Sequence, residues 1–596
     1  MDRVHCRHGY RRPARALLHP SLRRTDYGGA QRSCAAAIRR GHSGWREVSM
    51  KALLAALLAL AAVPGARAGD CAGLMGFYYP DTIVTSATPV PGPSFTAPDG
   101  RIYDSLPPFC RVTATLTPTS DSLINMELWM PDPGWTGRFL GLGNGGYGGN
   151  IAIAVPAMVA ALKLGIASGT TDMGTTPSTN TDADALVGHP QKWVDFGHRA
   201  THLMTVVSKE IARAFYGSAP RYAYFHGCST GGQQALMEAQ RYPDDYHGII
   251  AGSPANNRTH LHTNVLWFYR ATHASPDSYI TSDKVSLITR SVVAACNVKS
   301  GGLATDAFLT DARACDWDPA SIQCPALDGP DCLLPGQVQA ARAGYDGPRN
   351  PGSGHLIYPG WMRGSENASE LGWNSQQSSA EPPFGSLFKW VFGSAWLWPT
   401  YDYDLDMAAV DQLLAPILNA NNADLGAFQS LGGKLLAYHG TADPIINPQD
   451  TVNYYNRVLA LQSKSASLAQ KRTQQFFRLF LVPGMGHCSR GAGPNAFGNL
   501  FSASIVAPPP AASDAAHDVL LALIDWVERG NAPESIVATK YVGDSPSSGV
   551  QMMRPLCPFP LFPRYSGSGD PNAAGSFACA SGPSVTDRTA APEYLQ

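Results

Sequence analysis

The stretch YFHGCSTGGQQALMEAQRYP, residues 224–243, decides how this chain is read. It opens on apolar and aromatic residues ending in glycine, the pattern of a short buried strand. It closes on QQALMEAQRY, good helix formers stopped by Pro243. Between the two stands Gly227-Cys228-Ser229-Thr230-Gly231, a Gly-x-Ser-x-Gly element at a strand-to-helix turn. Its glycines permit a turn sharp enough to lift the Ser229 hydroxyl above the sheet. The helix start beneath offers backbone N–H groups and a positive dipole end to a developing oxyanion. The arrangement predicts a serine nucleophile; the plainer alternative is a Ser/Thr cap in a Gly-rich turn.

Such a serine needs a base, and the base needs an acid to orient it. Two later stretches supply them. GGKLLAYHGTADPIINP, residues 432–448, is an apolar strand followed by a turn carrying Asp443. FFRLFLVPGMGHCSRG, residues 476–491, is another strand, then a Pro/Gly turn carrying His487. The order Ser229, Asp443, His487 is that of an α/β-hydrolase, with each residue beyond the carboxyl end of a strand. Asp450, further into a helical stretch, is an alternative acid. Cys228 directly precedes the serine and Cys488 directly follows the histidine. If serine and histidine meet, their neighbours come within reach of a disulfide that would tie two loops together across the site.

The rest of the chain sets the context. Its 596 residues, 44% hydrophobic and 15% charged, describe a large globular protein. The formal charge of −1 averages unlike pieces: residues 1–49 carry +8, residues 50–68 carry +2, and the remainder carries −11. So acidic a remainder has no general attraction for nucleic acid or an anionic membrane. MKALLAALLALAAVPGARA, residues 50–68, reads as a signal peptide: a short positive start, an apolar run and a small-residue cleavage site. Residues 1–49 then read as upstream sequence translated in frame, and Arg39-Arg40 is the one hint of a twin-arginine signal instead. The expectation is a secreted or periplasmic protein without a membrane helix. Beyond the signal stand ten cysteines, an even number that points to disulfides in an oxidising compartment.

With these residues in hand, GCSTGGQQALMEAQRYPDDYHGIIAGSPANN, YHGTADPIINPQDTVNYY and LFLVPGMGHCSRGAGPN resemble the tannase and feruloyl esterase family. That family also includes the mono(hydroxyethyl) terephthalate hydrolase. The likeness runs over most of residues 70–580. It implies an α/β-hydrolase fold with a large inserted lid domain, the triad Ser229, Asp443 and His487, and the disulfide Cys228–Cys488. It also implies the pairs Cys71–Cys110, Cys296–Cys315, Cys324–Cys332 and Cys557–Cys579. RFLGLGNGGYGGN, residues 138–150, resembles the family's oxyanion loop. The resemblance assigns one donor to the N–H of Thr230 and the other to Gly145 or Gly146. It further implies a calcium ion in the loop closed by Cys296 and Cys315, held by Asp306 with Asn297 and Ser300. Here the loop departs from the family, because Asn297 and Ser300 stand where aspartates are expected and Asp311 is the other nearby acid. Calcium gains affinity from carboxylate charge, so the departure weakens the site.

The expected layout is therefore a catalytic domain in two pieces, 69–257 and 431–596, around a lid at 258–430. Seven of the twelve tryptophans fall between Trp267 and Trp398, most of them expected as lid core. FGSLFKWVFGSAWLWP, residues 384–399, is the segment expected to line a pocket. From Gly364 to Asn456 there is no arginine, which favours a gallate or ferulate ester over a terephthalate monoester with its own carboxylate. The predicted activity is hydrolysis of small aromatic acid esters without an organic cofactor. The alternatives are another aromatic ester, a peptidase or lipase specificity, or an exported binding module on the same fold.

Overall fold

Nine strands alternate their side chains between two apolar layers, and this alternation builds the molecule. In chain order they are β1 (Thr82–Val90), β2 (Phe109–Leu116), β3 (Ile124–Pro131), β4 (Arg138–Leu142), β5 (Ala167–Thr171), β6 (Tyr222–Cys228), β7 (Gly248–Gly252), β8 (Lys434–Gly440) and β9 (Phe477–Val482). In β6 to β9, Phe225, Ile249, Ala251, Leu435, Ala437, Leu479 and Leu481 face one hydrophobic layer. Tyr224, Ile250, Leu436, Tyr438, Phe480 and Val482 face the other. With both faces covered, such strands read as continuous apolar runs rather than alternating ones.

The computed structural model describes residues 69–176, 179–368, 372–499, 507–583 and 585. The expected extension at 1–49 and signal peptide at 50–68 lie outside the described residues. Within the sheet the strands run β1-β2-β3-β5-β4-β6-β7-β8-β9. The first three pair antiparallel, as do β3 and β5, and the pairs from β5-β4 to β8-β9 are parallel. Flanking helices include α1 (Ala200–Tyr216), α2 (Thr230–Arg241), α5 (Pro448–Gln462) and α6 (Val519–Arg529); α3 (Arg258–Thr272) and α4 (Leu405–Leu418) belong to the long excursion between β7 and β8. This is the predicted α/β-hydrolase sheet. Its parallel half places the carboxyl ends of β4, β6, β7, β8 and β9 along one edge, where open α/β sheets bind ligands.

The stretch expected as a lid, 258–430, is built of helices and loops and forms a hydrophobic cluster of its own around Phe268, Trp361 and Trp373. Trp361, Trp373 and Trp390 are buried, as expected of core rings. A short helix, Ser386–Phe392, ties the stretch back to the loop at 182–184. The Lys389 ammonium pairs with Asp184 at 2.6 Å, and the Trp390 indole donates to Ala183 O at 3.0 Å.

His226, beside the elbow in β6, is 1% exposed, and neither ring nitrogen has a partner among the described residues. Burial lowers its pKa from 6.5 to about 3. The folded protein thus keeps His226 neutral while the unfolded chain protonates it, so this group withdraws stability as pH falls from about 6.5 to about 3. The melting temperature is expected to drop on acidification below about pH 6.5, and less steeply in His226→Leu. Scanning fluorimetry across that range decides it; equal slopes in the two proteins would contradict the assignment.

Candidate active site

The strand β6 ends in a turn that only its glycines allow. Ser229 sits at φ 66° and ψ −121°, a conformation that costs a non-glycine residue of order 1–3 kcal/mol. A Cβ on Gly227 would lie 2.4 Å from Gly231 O, and one on Gly232 would lie 2.2 Å from Gly252 O. Those close approaches let α2 start directly beneath Ser229. The Ser229 N–H donates to Gly252 O at 3.0 Å, which fastens the elbow to β7. Ser229 keeps partial exposure and lines a cavity of about 510 Å³.

His487 reaches the same cavity from the turn after β9. Its Nδ1 lies 2.7 Å from Asp443 Oδ2, and both residues are buried. Asp443 Oδ1 accepts the N–H groups of Ile445 and Ile446 at 2.9 and 3.0 Å. Burial alone would raise the Asp443 carboxyl, but the charge of His487 and hydrogen bonds from His439 and His487 outweigh it and hold it well below the usual carboxylate range. Asp443 therefore stays an acceptor, fixing Nδ1–H of the imidazole and leaving Nε2 for the cavity side. Asp450, the alternative acid, lies buried on α5 with Arg457 and His260 as its charged neighbours, and burial pushes its carboxyl up to about 7.

One member of this network is not in the sequence reading. His439, at the end of β8, lies 3.2 Å from Asp443 Oδ2 and 2.9 Å from Ile446 O through Nε2, while its Nδ1 meets Thr451 Oγ1 at 2.8 Å. A carbonyl only accepts, so Nε2 carries the proton and points it at both oxygens. The signal was present as an i, i+4 spacing to Asp443, yet a histidine inside an apolar strand reads as core.

Gly145, Gly146 and Thr230 all line the cavity beside Ser229. None of their backbone N–H groups meets a protein acceptor among the described residues. The loop carrying the glycines is pinned to the elbow: Gly231 N–H donates to Asn144 O at 2.7 Å, and the Thr230 hydroxyl donates to Gly146 O at 2.6 Å. Gly146 takes φ 56°, and a Cβ there would lie 2.2 Å from Asn180 O, so glycine is required. The arrangement leaves these donors without a protein acceptor on the wall of the cavity that Ser229 lines. From 384–399, Phe384, Gly385, Ser386, Lys389 and Trp396 line the cavity.

The ten cysteines form five disulfides: Cys71–Cys110, Cys228–Cys488, Cys296–Cys315, Cys324–Cys332 and Cys557–Cys579. These are the pairs that the resemblance implies. Cys228–Cys488 spans 260 positions and joins the elbow to the His487 turn.

The Cys296–Cys315 loop does not form the expected carboxylate cage. Asp306 is taken by Arg554 at 3.3 Å and by the Leu303 N–H at 3.0 Å. Asn297 Nδ2 donates to Leu303 O and Ala304 O at 3.3 and 3.0 Å, filling the concavity with a donor. The Ser300 hydroxyl donates to Asn297 O, and Asp311 holds Arg313 through both carboxylate oxygens. Two arginines already pair with the carboxylates of this loop, and calcium does not fit the donor set.

Removing the Cys228–Cys488 bridge in a Cys228→Ala/Cys488→Ala protein is expected to cost about 2–5 kcal/mol of stability and to lower kcat more than it raises KM. Denaturant titration and steady-state kinetics of that variant check both.

Residues 110–580 match the family model described as tannase and feruloyl esterase. An esterase of Xanthomonas campestris is 38% identical over 90% of this chain and 96% of its own length. Feruloyl esterase B of Aspergillus niger is 30% identical over 79% of this chain and 86% of its own. The crystal structure of feruloyl esterase B from Aspergillus oryzae, 28% identical, superposes with a TM-score of 0.76 over 86% of this chain and 99% of that one. The chain belongs to the tannase and feruloyl esterase family.

Proposed function

We propose that this esterase hydrolyses esters of phenolic acids through a covalent acyl-enzyme on Ser229. The observation that carries the reading is the 2.7 Å contact between His487 and Asp443, with His487 and Ser229 on the wall of one cavity. His487 Nε2 takes the Ser229 proton as Oγ attacks the ester carbonyl. The N–H groups of Thr230 and of Gly145 or Gly146 receive the oxyanion. His487 then hands its proton to the leaving alcohol and next activates the water that frees the acid. Asp443 keeps the imidazole oriented and stabilises its charged form throughout. His439 is a positioning residue that holds Asp443. No organic cofactor enters these steps.

The cavity suits an aromatic acyl group. Phe384 and Trp396 provide ring surfaces, and Leu261, Val265, Ile445 and Ile446 provide aliphatic ones. Five disulfides accord with a protein that works outside the cytoplasm, and no described helix is long and apolar enough to cross a membrane.

The test is turnover of methyl ferulate and methyl gallate by the purified protein and by Ser229→Ala. The parent is expected to hydrolyse at least one of them, and the variant to lose at least about 10⁴-fold in kcat. Turnover retained by Ser229→Ala would overturn the nucleophile assignment. Absence of turnover on both esters would move the assignment to another aromatic ester or to a binding module.

A further inference from the structure

The cavity contains a charge that the proposed reaction does not use. Arg258, the first residue of α3, lines it and is 2% exposed. Its Nη2 donates to the Thr230 hydroxyl at 2.8 Å, and the guanidinium lies 4.9 Å from the centroid of the Phe196 ring. Its Nε is buried without an acceptor, and no carboxylate pairs with it among the described residues. Burial lowers its pKa to about 10, which leaves it charged at neutral pH. A buried cation without a counter-charge is costly, and a protein that keeps one beside its nucleophile gains when an anion arrives.

His262 stands one helical turn on, lining the same wall, 2% exposed. Burial first, and then the Arg258 charge, hold it well below its ordinary pKa, so it is neutral there. Its Nδ1 has no partner among the described residues. The imidazole stacks on Phe384 at 5.0 Å, and Phe384 also lines the cavity. The lining carboxylates do not neutralise Arg258. Asp184 is exposed and bound to Lys389, Asp182 accepts from Ser386 Oγ, and Glu381 is exposed.

We propose that Arg258, with His262 beside it, recognises an anionic oxygen carried on the aromatic ring of the ester. Its source is either a ring carboxylate or an ionised phenol. This rests on the serine esterase reading and adds to it the charge of the substrate. Phe384 and His262 offer flat surfaces to the ring while the guanidinium meets the oxygen at its edge. A phenol conjugated to an ester carbonyl is more acidic than that of tyrosine, and a guanidinium beside it favours the phenolate further. Arg258 escapes sequence reasoning because it lies outside the 364–456 span, in ANNRTH, where it resembles an ordinary polar helix start.

The experiment measures kcat/KM for two matched pairs of methyl esters. Methyl 4-hydroxybenzoate is compared with methyl 4-methoxybenzoate, and monomethyl terephthalate with methyl 4-methylbenzoate. The parent protein is expected to prefer the oxygen-bearing member of at least one pair by about 10- to 100-fold, and the preferred pair identifies the source. In Arg258→Met the preference is expected to fall to within about 3-fold, while Arg258→Lys keeps part of it. Arg258 also holds Thr230, so all rates are expected to fall by a common factor and the ratio is the readout. No preference in either pair, or an undiminished preference in Arg258→Met, overturns the proposal. A fluorophosphonate probe separates the two readings. If it labels the parent but not Ser229→Ala while both ratios stay near one, only the recognition site fails; if it never labels the parent, both readings fail.

Discussion

The backbone crossing at the end of β6 constrains everything around it. Gly227, Gly231 and Gly232 let strand, helix and the neighbouring β7 come closer than any side chain allows, and Ser229 is forced into a left-handed conformation at the apex. The strain is offset by the hydrogen bonds and packing that over-determine the turn. The Gly145–Gly146 loop has its position because Gly231 and Thr230 reach into it. The His487 turn is bound to the same elbow by Cys228–Cys488, so Ser229, His487 and the proposed oxyanion donors share one rigid reference.

The charge at Asp443 is the second requirement. A fully buried carboxylate is expensive, and this one is made affordable by two backbone N–H groups and two histidines. His439 matters here because it anchors the acid from the strand side, leaving the His487 ring as the one free to turn its far nitrogen to the cavity. Arg258 is the contrasting case, a buried cation whose protein neighbours do not balance it.

Much of this was legible in the chain. The elbow, the Asp443 and His487 turns and the Cys228–Cys488 bridge each follow from short patterns whose meaning is local: glycines flanking a serine, or an acid beyond an apolar strand. The sheet order β3-β5-β4-β6 was not legible there, because it rests on pairing between strands far apart in the chain. What was not legible depends on contacts that only the fold makes. His439 looks like a core residue of an apolar strand, although its partners Asp443, Ile446 and Thr451 follow within 12 positions. Arg258 looks ordinary until folding brings Thr230 against it. The poor match of the Cys296–Cys315 loop to a calcium ion was hidden too, since the Arg554 guanidinium that meets Asp306 comes from 248 positions away.

The central claim is that Ser229 carries the acyl group between two half-reactions. Mass spectrometry of the protein quenched in acid during turnover of a phenolic ester tests it most directly. The account predicts a mass increase of one acyl group, confined to the peptide that contains Ser229. An unmodified protein in full turnover, or an acyl group on another residue, would contradict it.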